Sequence, residues 1–357
     1  MIDSHDFEAL RGIGLTQPLA QNLLALGEPG GVPMRVVEQQ RDRVHLHDGH
    51  AQHVARVLPV LTHALEAADD TLAVGDWVLA RRNLHHEWWV HARVPPLTRL
   101  SRRDRTGQRQ TLVHNADTAM LVMGLDSDFN LRRLERYLTL ARLAEVGALV
   151  VLTKADTCAD TESRDAMLAS VQAQLPPGVD AVAVNGLDAG SRDVLAPWLA
   201  AGQTLVLLGS SGAGKSTLTN TLAASAVADT GEVRESDGRG MHTTTARTLH
   251  RCPGGACIID TPGLRKLRLD ADESQIASAF EDIARLALQC RFRDCRHLDE
   301  PGCAVREQVP AERLRNWHKL LREARRDTQS ALERRAQASQ WKARGRDARV
   351  RAQAKRG

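Results

Sequence analysis

Directly after the apolar run TLVLL at residues 204–208, the chain reads Gly209-Ser210-Ser211-Gly212-Ala213-Gly214-Lys215-Ser216-Thr217. This segment fits the pattern G-x-x-x-x-G-K-[ST] and lies between a predicted strand and a predicted helix, as a phosphate-binding loop must. The glycines let the loop curl so that backbone N–H groups face a phosphate at the helix N-terminus. We expect all nine residues to form the phosphate site, with Lys215 neutralising the β- and γ-phosphates and Ser216 binding Mg²⁺. The alternative is a chance Gly/Ser turn before a helix.

A second predicted strand, at residues 256–259, ends in Asp260-Thr261-Pro262-Gly263. An Asp at the end of a strand, about 45 residues after a phosphate loop, can hold Mg²⁺ through a water molecule, and the Gly263 N–H can contact the γ-phosphate. Taken alone, D-x-x-G is usually only a turn, but at this distance from a phosphate loop it predicts a nucleotide-sensing switch. The predicted catalytic residues are therefore Lys215, Ser216, Asp260 and Gly263.

A polar stretch, GRGMHTTT at residues 238–245, separates the two motifs. In the triphosphate state one of its threonines would complete the Mg²⁺ shell, and Thr244 and Thr245 are the candidates. His242 is a candidate for ordering the attacking water, although a solvent-exposed loop histidine explains it equally well.

A possible base-binding motif, Thr153-Lys154-Ala155-Asp156, follows the apolar run GALVVL at residues 147–152. The Asp156 carboxylate can accept hydrogen bonds from guanine N1–H and N2–H, which adenine cannot offer, and the Lys154 stem can cover the base plane. On its own, T-K-x-D is a weak signal that a helix cap would also explain. Together with the phosphate loop and D-T-P-G, it predicts guanine binding and argues against a P-loop ATPase or kinase.

The order of these motifs is unusual. Ordinary small GTPases run phosphate loop, switch threonine, D-x-x-G and then base motif, whereas here the base motif precedes the phosphate loop by some fifty residues. A circular permutation changes the connections but keeps the packed layers, so the same sheet can form. From about residue 119 onward, predicted strands alternate with helices, which indicates a largely parallel, doubly wound α/β sheet.

Residues 33–96 have a different pattern. Short alternating apolar and polar stretches, separated by turn residues, predict a small β-barrel, for which an OB-fold is the commonest candidate. Trp77, Trp88 and Trp89 in this region could stack on nucleic-acid bases. We expect them to pack in the core instead, because Trp is highly buried on average.

A Cys₃His set follows the α/β region: Cys290, Cys295, His297 and Cys303. Four N and S ligands leave no open position and suit a tetrahedral, structural Zn²⁺ ion. The surrounding loop has few apolar residues, so it needs a cross-link to hold its shape; incidental buried cysteines are the alternative. Cys252 and Cys257 have C-x₄-C spacing, but the Pro-Gly-Gly between them predicts a hairpin turn, so we exclude a metal there.

These signals divide the 357 residues into six predicted segments. They are a helical leader (1–32), an OB-fold β-barrel (33–96), an Arg-rich basic linker (97–110), a circularly permuted GTPase domain (111–275), a helical zinc-binding domain (276–327) and a basic tail (328–357). The predicted fold class is thus multidomain: an N-terminal OB-like β-barrel, an α/β P-loop GTPase core in permuted order and a C-terminal helical zinc-binding module.

Charge is unevenly distributed along the chain. Residues 311–357 contain fifteen Lys or Arg against five Asp or Glu, although the whole chain carries only +4. A basic tail on a near-neutral body indicates an anionic partner, usually nucleic acid, with a solvated helix as the alternative. The acidic N-terminus lacks a signal-peptide core and no apolar run is long enough to span a bilayer, so we expect a cytoplasmic protein with no membrane partner. We also expect a monomer.

The ordered set VGDWV, TKAD, GSSGAGKST, GRGMHTTT, DTPGLR and Cys-x₄-Cys-x-His-x₅-Cys resembles the circularly permuted GTPases of the ribosome small subunit-dependent GTPase A family, over nearly the full length. The resemblance implies an N-terminal OB-fold, a permuted GTPase core, a C-terminal zinc domain and a role in late assembly of the small ribosomal subunit. It also implies hydrolysis of GTP to GDP and phosphate with Mg²⁺, one structural zinc ion, and the small subunit with its rRNA as partners.

Three positions depart from the expected patterns. Thr153 stands where many family members have Asn, so we expect weaker contacts to guanine N7 and to the phosphate loop, affecting affinity more than specificity. Residues 184–186 (VNG) do not match the usual Ser-Ala base loop and are left out of the predicted site. Leu264 follows D-T-P-G without the water-orienting Gln of Ras-like enzymes, so we expect slow intrinsic hydrolysis, near the Ras scale of about 10⁻⁴ s⁻¹.

One alternative function stays open at this point. A non-catalytic RNA-binding scaffold that uses GTP only as a structural ligand would need the same binding motifs. The sequence separates it poorly from a GTPase.

Overall fold

The structure is a computed structural model that describes residues 4–27, 30–40, 42–104, 108–225, 227, 247–261 and 268–326. The predicted tail, 328–357, lies outside these residues. The chain forms two compact units. The first comprises Met1–Arg102 and Gln110–Leu267, and the second comprises Arg103–Arg109 and Arg268–Gly357.

The predicted leader forms two helices, α1 (Ser4–Arg11) and α2 (Gln17–Ala25). Apolar side chains of these helices and of the turn between them are buried within the first unit: Leu10, Ile13, Leu15, Leu19 and Leu23. The fully buried guanidinium of Arg35 fixes that turn, because it donates to the Ile13 carbonyl at 2.5 Å and to the Asn115 carbonyl at 3.2 Å. The leader is therefore packed against the body of the first unit.

Five strands of the first unit close into a barrel. They are β1 (Val32–Gln39), β2 (Val44–His47), β3 (Gln52–Val57), β4 (Trp77–Arg82) and β5 (Trp88–Arg93). The strand order is β1-β2-β3-β5-β4, and β4 pairs back onto β1. Strands β3 and β5 run parallel, and helix α3 (Pro59–Ala67) connects β3 to β4. This five-stranded barrel confirms the predicted OB-fold.

Alternation along the strands builds the barrel core. Side chains of four strands meet inside it and are at most 2% exposed: Met34, Val36, Val44, Leu46, Ala55 and Val90. Trp77 is fully buried, as predicted. Trp88 packs against the core but remains half-buried, with the Arg82 guanidinium 4.7 Å from its ring centroid. The prediction that Trp89 packs in the core is wrong. Its neighbour Trp88 points towards the core, so Trp89 lies on the outer face of the barrel, with the Arg56 guanidinium over its ring.

The segment predicted as a basic linker contains strand β6 (Arg99–Arg103) and the start of β7 (Arg109–His114). Strand structure is compatible with this many arginines because carboxylates neutralise them. In the first unit, Asp70 binds Arg99 at 3.0 Å, and in the second unit, Asp270 binds Arg103 at 3.1 Å. Leu100 supplies a fully buried apolar side chain to β6.

The remainder of the first unit is an α/β sheet with its helices. The strands are β8 (Thr118–Gly124), β9 (Gly147–Thr153), β10 (Asp180–Ala183), β11 (Thr204–Leu208), β12 (Thr248–Arg251) and β13 (Cys257–Asp260). The helices are α4 (Leu131–Leu143), α5 (Thr161–Gln172), α6 (Ser191–Leu195) and α7 (Lys215–Ala223), with short 3₁₀ turns at Ala155–Thr157 and Ala196–Trp198.

The strand order of this sheet is β10-β9-β8-β11-β13-β12, and only β12 is antiparallel to its neighbour. The chain runs outward from β8 to β10 and then returns to β11 on the other side of β8. The sheet therefore has its topological switch point between β8 and β11, and ligands of such sheets bind at the carboxyl ends of the strands there. The predicted doubly wound α/β core is confirmed.

The barrel and the α/β sheet meet along β1 and at Gly75. Glu38 of β1 pairs with Thr248 of β12, which joins the strands of both into one hydrogen-bonded series. Gly75 has a φ of +94°, and a Cβ there would lie 2.0 Å from the carbonyl oxygen of His114. The Asn115 amide donates to the Gly75 carbonyl at 3.0 Å. Only glycine allows the two backbones to approach this closely.

The second unit is mainly helical. Its elements are β14 (Arg268–Leu269), α8 (Glu273–Ala279), α9 (Glu281–Ala287), α10 (Ala304–Gln308) and a helix, α11, over residues 311–326. Helix α8 begins with a capping box formed by Asp272 and Gln275. Among the described residues of this unit, the buried apolar side chains are Leu269, Ala271, Ile276, Phe280, Ile283, Cys303, Ala304, Val305, Val309, Leu314, Trp317, Leu320 and Ala324. No helix in the described parts of either unit has the length and apolar character needed to cross a bilayer.

Candidate GTP site and metal centre

The predicted phosphate loop leaves the carboxyl end of β11, a strand whose five residues are all buried. Helix α7 begins at Lys215, so the loop N–H groups lie at a helix N-terminus. Gly209 passes close to β8, and a Cβ there would lie 2.5 Å from the Val122 carbonyl oxygen. Gly214 has a φ of +85° next to Thr153. The glycine positions of the motif are thus required by backbone geometry.

Lys215 and Asp260 lie close together at the start of α7 and the end of β13. The Lys215 ammonium is buried and donates to the Ser210 carbonyl at 2.7 Å. Burial lowers the pKa of Lys215, and the charges of Asp260 and Asp128 oppose this shift. Burial raises the pKa of Asp260, and Lys215 partly offsets that effect. The site therefore holds one buried cation beside one buried carboxylate, at the switch point of the sheet.

The same carboxylate is suited to a divalent cation. The Ser216 hydroxyl donates to Asp260 Oδ2 at 3.1 Å, so the two predicted Mg²⁺ residues are in direct contact. Asp260 Oδ1 is buried and has no hydrogen-bond partner among the described residues. A buried carboxylate oxygen without a donor is an acceptor that a hydrated Mg²⁺ ion can satisfy.

The predicted base motif begins at the carboxyl end of β9. Thr153 is buried, and its hydroxyl donates to the Ala213 carbonyl of the phosphate loop at 2.6 Å. The threonine side chain therefore reaches the phosphate loop, while its effect on affinity relative to asparagine stays a prediction. Lys154 adopts a left-handed conformation with φ +60°, and the Asp156 carboxylate is exposed in the 3₁₀ turn that follows.

The loop at residues 184–186, left out of the predicted site, lies beside the base motif. The Val184 carbonyl accepts from the Ala155 N–H at 3.2 Å. The Gly186 carbonyl accepts from the Thr221 hydroxyl of α7 at 2.6 Å. The sequence could have indicated that residues 184–186 belong to the site, because they directly follow the predicted strand that forms β10. The carboxyl ends of parallel strands share one edge of a sheet.

Several predicted residues are not described by the structure. Thr244, Thr245, His242 and Gly263 lie outside the described residues. Within the described part of D-T-P-G, the Thr261 hydroxyl donates to the Leu207 carbonyl of β11 at 2.6 Å. This bond fixes the exit of β13 next to the phosphate loop.

The structure brings the four predicted metal ligands together in the second unit. The ligand atoms of Cys290, Cys295, His297 and Cys303 all lie within 4.8 Å of one another. His297 Nδ1 is 3.6 Å from the Cys290 sulfur and 3.4 Å from the Cys303 sulfur, and these two sulfurs are 3.9 Å apart. A tetrahedral ion with Zn–S of about 2.3 Å spaces its ligands by roughly 3.5–3.8 Å, so the cluster fits such an ion.

The surroundings of the cluster orient its ligands. Cys303 lies at the N-terminus of α10, and its sulfur accepts from the Arg306 N–H at 3.4 Å. His297 adopts a φ of +60°, and its carbonyl contacts His318 Nε2 at 3.2 Å. Its ring lies 5.7 Å from that of Trp317 on α11. Cys252 and Cys257 lie in the first unit, where the turn between them connects β12 to β13.

Comparisons with known proteins are consistent with this geometry. The sequence model of a family described as RsgA GTPase matches residues 93–270. The small ribosomal subunit biogenesis GTPase RsgA of Xanthomonas oryzae pv. oryzae (strain MAFF 311018) is 42% identical over 330 residues, which cover 89% of each chain. The protein of that name from Xanthomonas axonopodis pv. citri (strain 306) is 40% identical over 356 residues, or 96% of each chain.

The chain belongs to the RsgA GTPase family. Membership makes it a GTPase. Two solved structures have the same fold as this chain. YjeQ from Thermotoga maritima has a TM-score of 0.60 at 21% identity, covering 82% of this chain and 98% of that chain. YloQ, a circularly permuted GTPase, has a TM-score of 0.58 at 20% identity, covering 83% and 96%.

Proposed function

We propose that this protein binds the small ribosomal subunit through its rRNA and hydrolyses GTP to GDP and phosphate during late assembly of that subunit. The observation that carries the proposal is the alignment, over 89% to 96% of the chain, with relatives named small ribosomal subunit biogenesis GTPases. We further propose that it acts in the cytoplasm as a monomer.

In the proposed site, residues 209–217 wrap the phosphates. Lys215 supplies the positive charge, and it stays close to the phosphates because the Ser210 carbonyl holds its ammonium. Ser216 and Asp260 would hold Mg²⁺, which would compensate charge on the β- and γ-phosphates. One of Thr244 and Thr245 would complete the ion's ligands, and the Gly263 N–H would contact the γ-phosphate. In the sequence, Leu264 follows D-T-P-G where Ras-like enzymes have a water-orienting Gln, which is why we propose a low intrinsic rate.

The proposed guanine contacts come from Thr153, Lys154, Ala155 and Asp156. The exposed Asp156 carboxylate accepts from the base, and the Lys154 stem covers it. Support comes from the Thr153 bond to Ala213, which ties this motif to the phosphate loop.

In the second unit, we propose one structural Zn²⁺ ion bound by Cys290, Cys295, His297 and Cys303. Four ligands leave no position for a substrate. All four lie in the loop between α9 and α10, where no apolar side chain of residues 288–302 is buried. The ion would therefore act by holding the module in a fold that contacts rRNA.

The test is GTP turnover measured with the protein alone, with small subunits and with large subunits. We expect turnover alone near about 10⁻⁴ s⁻¹ and a rise of at least tenfold with small subunits only. Stimulation by both subunits equally would contradict the proposed partner. Tight binding of GTP and small subunits without any turnover would favour the scaffold alternative.

A further inference from the structure

A loop outside the predicted motifs contacts both halves of the GTP site. Residues 124–130 (GLDSDFN) connect β8 to α4, at the switch point of the sheet. At the base end, Asp126 accepts from the Lys154 ammonium at 2.6 Å. At the phosphate end, Asp128 accepts from the Ser210 hydroxyl at 2.5 Å. One short segment thus holds a residue of each motif.

The Asp128 carboxylate is itself fixed in place. Its side chain is only 13% exposed, and its Oδ2 accepts from the Gly124 N–H at 3.3 Å. The Arg133 guanidinium donates both to the Asp128 carboxylate and to its backbone carbonyl. The Arg133 charge compensates a carboxylate that would otherwise repel an incoming phosphate.

Ser210 is held from two sides. Its hydroxyl is bound by Asp128, while its carbonyl accepts from the Lys215 ammonium at 2.7 Å. It is 9% exposed, and the preceding Gly209 packs against the Val122 carbonyl of β8. The bond to Asp128 is the side-chain contact that anchors this first turn of the loop to the segment before α4.

We propose that Asp128 is a positioning residue for the phosphate loop: by fixing Ser210, it preforms the loop that binds the phosphates of GTP and GDP. Asp128 reaches the loop through its hydrogen bond to Ser210. A loop already held in its binding conformation loses less conformational freedom when the nucleotide binds. The inference rests on residues 209–217 being the phosphate loop of the proposed function.

The experiment measures binding of the fluorescent nucleotides mant-GDP and mant-GTP to the full chain. Asp128→Ala and Ser210→Ala should each raise the Kd for both nucleotides about 5- to 10-fold, because a hydrogen bond to a charged group is lost. The Kd of the double variant should not exceed that of the weaker-binding single variant, since both substitutions remove the same hydrogen bond. Asp128→Asn keeps an acceptor for Ser210 and should stay within about threefold of the parent.

Matched measurements separate positioning from general stability. Asp165→Ala removes an exposed carboxylate that pairs with Arg164 on α5, and it should leave both Kd values unchanged. The preference for GTP over ATP should be retained in every variant, and the KM for GTP should rise while kcat changes less than about twofold. Unchanged Kd values in Ser210→Ala, or additive losses in the double variant, would overturn the proposal.

These measurements use no ribosomal subunits. If the turnover test described above shows stimulation of the parent by small subunits, but Asp128→Ala binds nucleotide with the parent Kd, only the positioning role fails. If the parent binds no guanine nucleotide at all, the proposed function fails instead.

Discussion

The two candidate sites of this molecule are supported in different ways. The GTP site is built on buried strands: β11 is fully buried, and β8 and β13 flank it with buried residues of their own. The Cys₃His cluster lies between helices of five to seven residues, α9 and α10, and one longer helix, α11. Hydrophobic burial shapes the first site before any ligand binds, whereas the second, as we propose, is held by one ion that its four ligands share.

This difference teaches which site should survive the loss of its ligand. Removing nucleotide from the GTP site should leave the sheet intact, because its strands are held by their own buried side chains and by pairing with one another. Removing the metal from the cluster should unfold the second unit, because all four ligands lie in the loop between α9 and α10. Four experiments test this difference, and they are given from the largest expected effect to the smallest.

The strongest test removes the metal. Cys295→Ala, or chelation of the parent, should unfold the second unit over residues 276–326, because structural zinc binding is worth about 10–16 kcal/mol in small modules. Hydrogen exchange should show loss of protection there, while mant-GDP still binds the first unit. Cys158→Ala, outside the cluster, is the control. If the metal-free protein kept full hydrogen-exchange protection over residues 276–326, the second unit would not depend on its ligand any more than the first does.

The second test removes the cation of the GTP site. Lys215→Ala should lower kcat/KM for GTP about 10²- to 10³-fold, because phosphate charge is no longer compensated in a buried position. Circular dichroism and the melting temperature should change little, since β11 and β13 remain packed. If the variant turns over GTP at the parent rate, residues 209–217 are not the phosphate loop.

The third test exchanges the base specificity. Asp156→Asn should weaken GTP binding about 10²-fold, because charge-assisted bonds to guanine N1–H and N2–H are lost. Xanthosine triphosphate, which offers an oxygen in place of the N2 donor, should bind the variant better than GTP does. Competition against mant-GDP measures both. An unaltered GTP affinity would show that the exposed Asp156 carboxylate does not read the base.

The smallest effect concerns the link between the motifs. Thr153→Val replaces the hydroxyl by a methyl group of similar size and should raise the Kd for GTP about 2- to 10-fold, the range of one neutral hydrogen bond. Thr157→Val, whose hydroxyl bonds to the Lys154 carbonyl in the exposed turn, serves as a comparison. A larger loss in Thr157→Val than in Thr153→Val would argue against the bond to Ala213 as the important one.

The sequence was sufficient for the parts of the fold in which pattern and packing agree. The run TLVLL predicted a buried strand, and residues 204–208 form β11 with the bounds expected. Alternation predicted the barrel. The Arg-rich segment was misread as a linker because the partners of its arginines, Asp70 and Asp270, lie far away in sequence.

The candidate site was predictable only where a motif has a fixed spacing. The Cys₃His set meets in space as its spacing indicated. Asp126 and Asp128 belong to no such motif, and their contacts depend on β8 lying next to both β9 and β11. That neighbourhood is a property of the folded sheet, and no local pattern in residues 124–130 reveals it.

Gly75 has a consequence for attempts to exchange the barrel. The His114 carbonyl oxygen occupies the position that a side chain at residue 75 would need. The barrel and the α/β sheet can therefore pack together only if residue 75 has no Cβ. A chimera that grafts another OB-fold in front of residue 97 would need a glycine at the same point of its own chain, whatever ligand that donor barrel recognises. Modular exchange of this part is therefore constrained by a single backbone position, and alanine at Gly75 is enough to make the native pair incompatible.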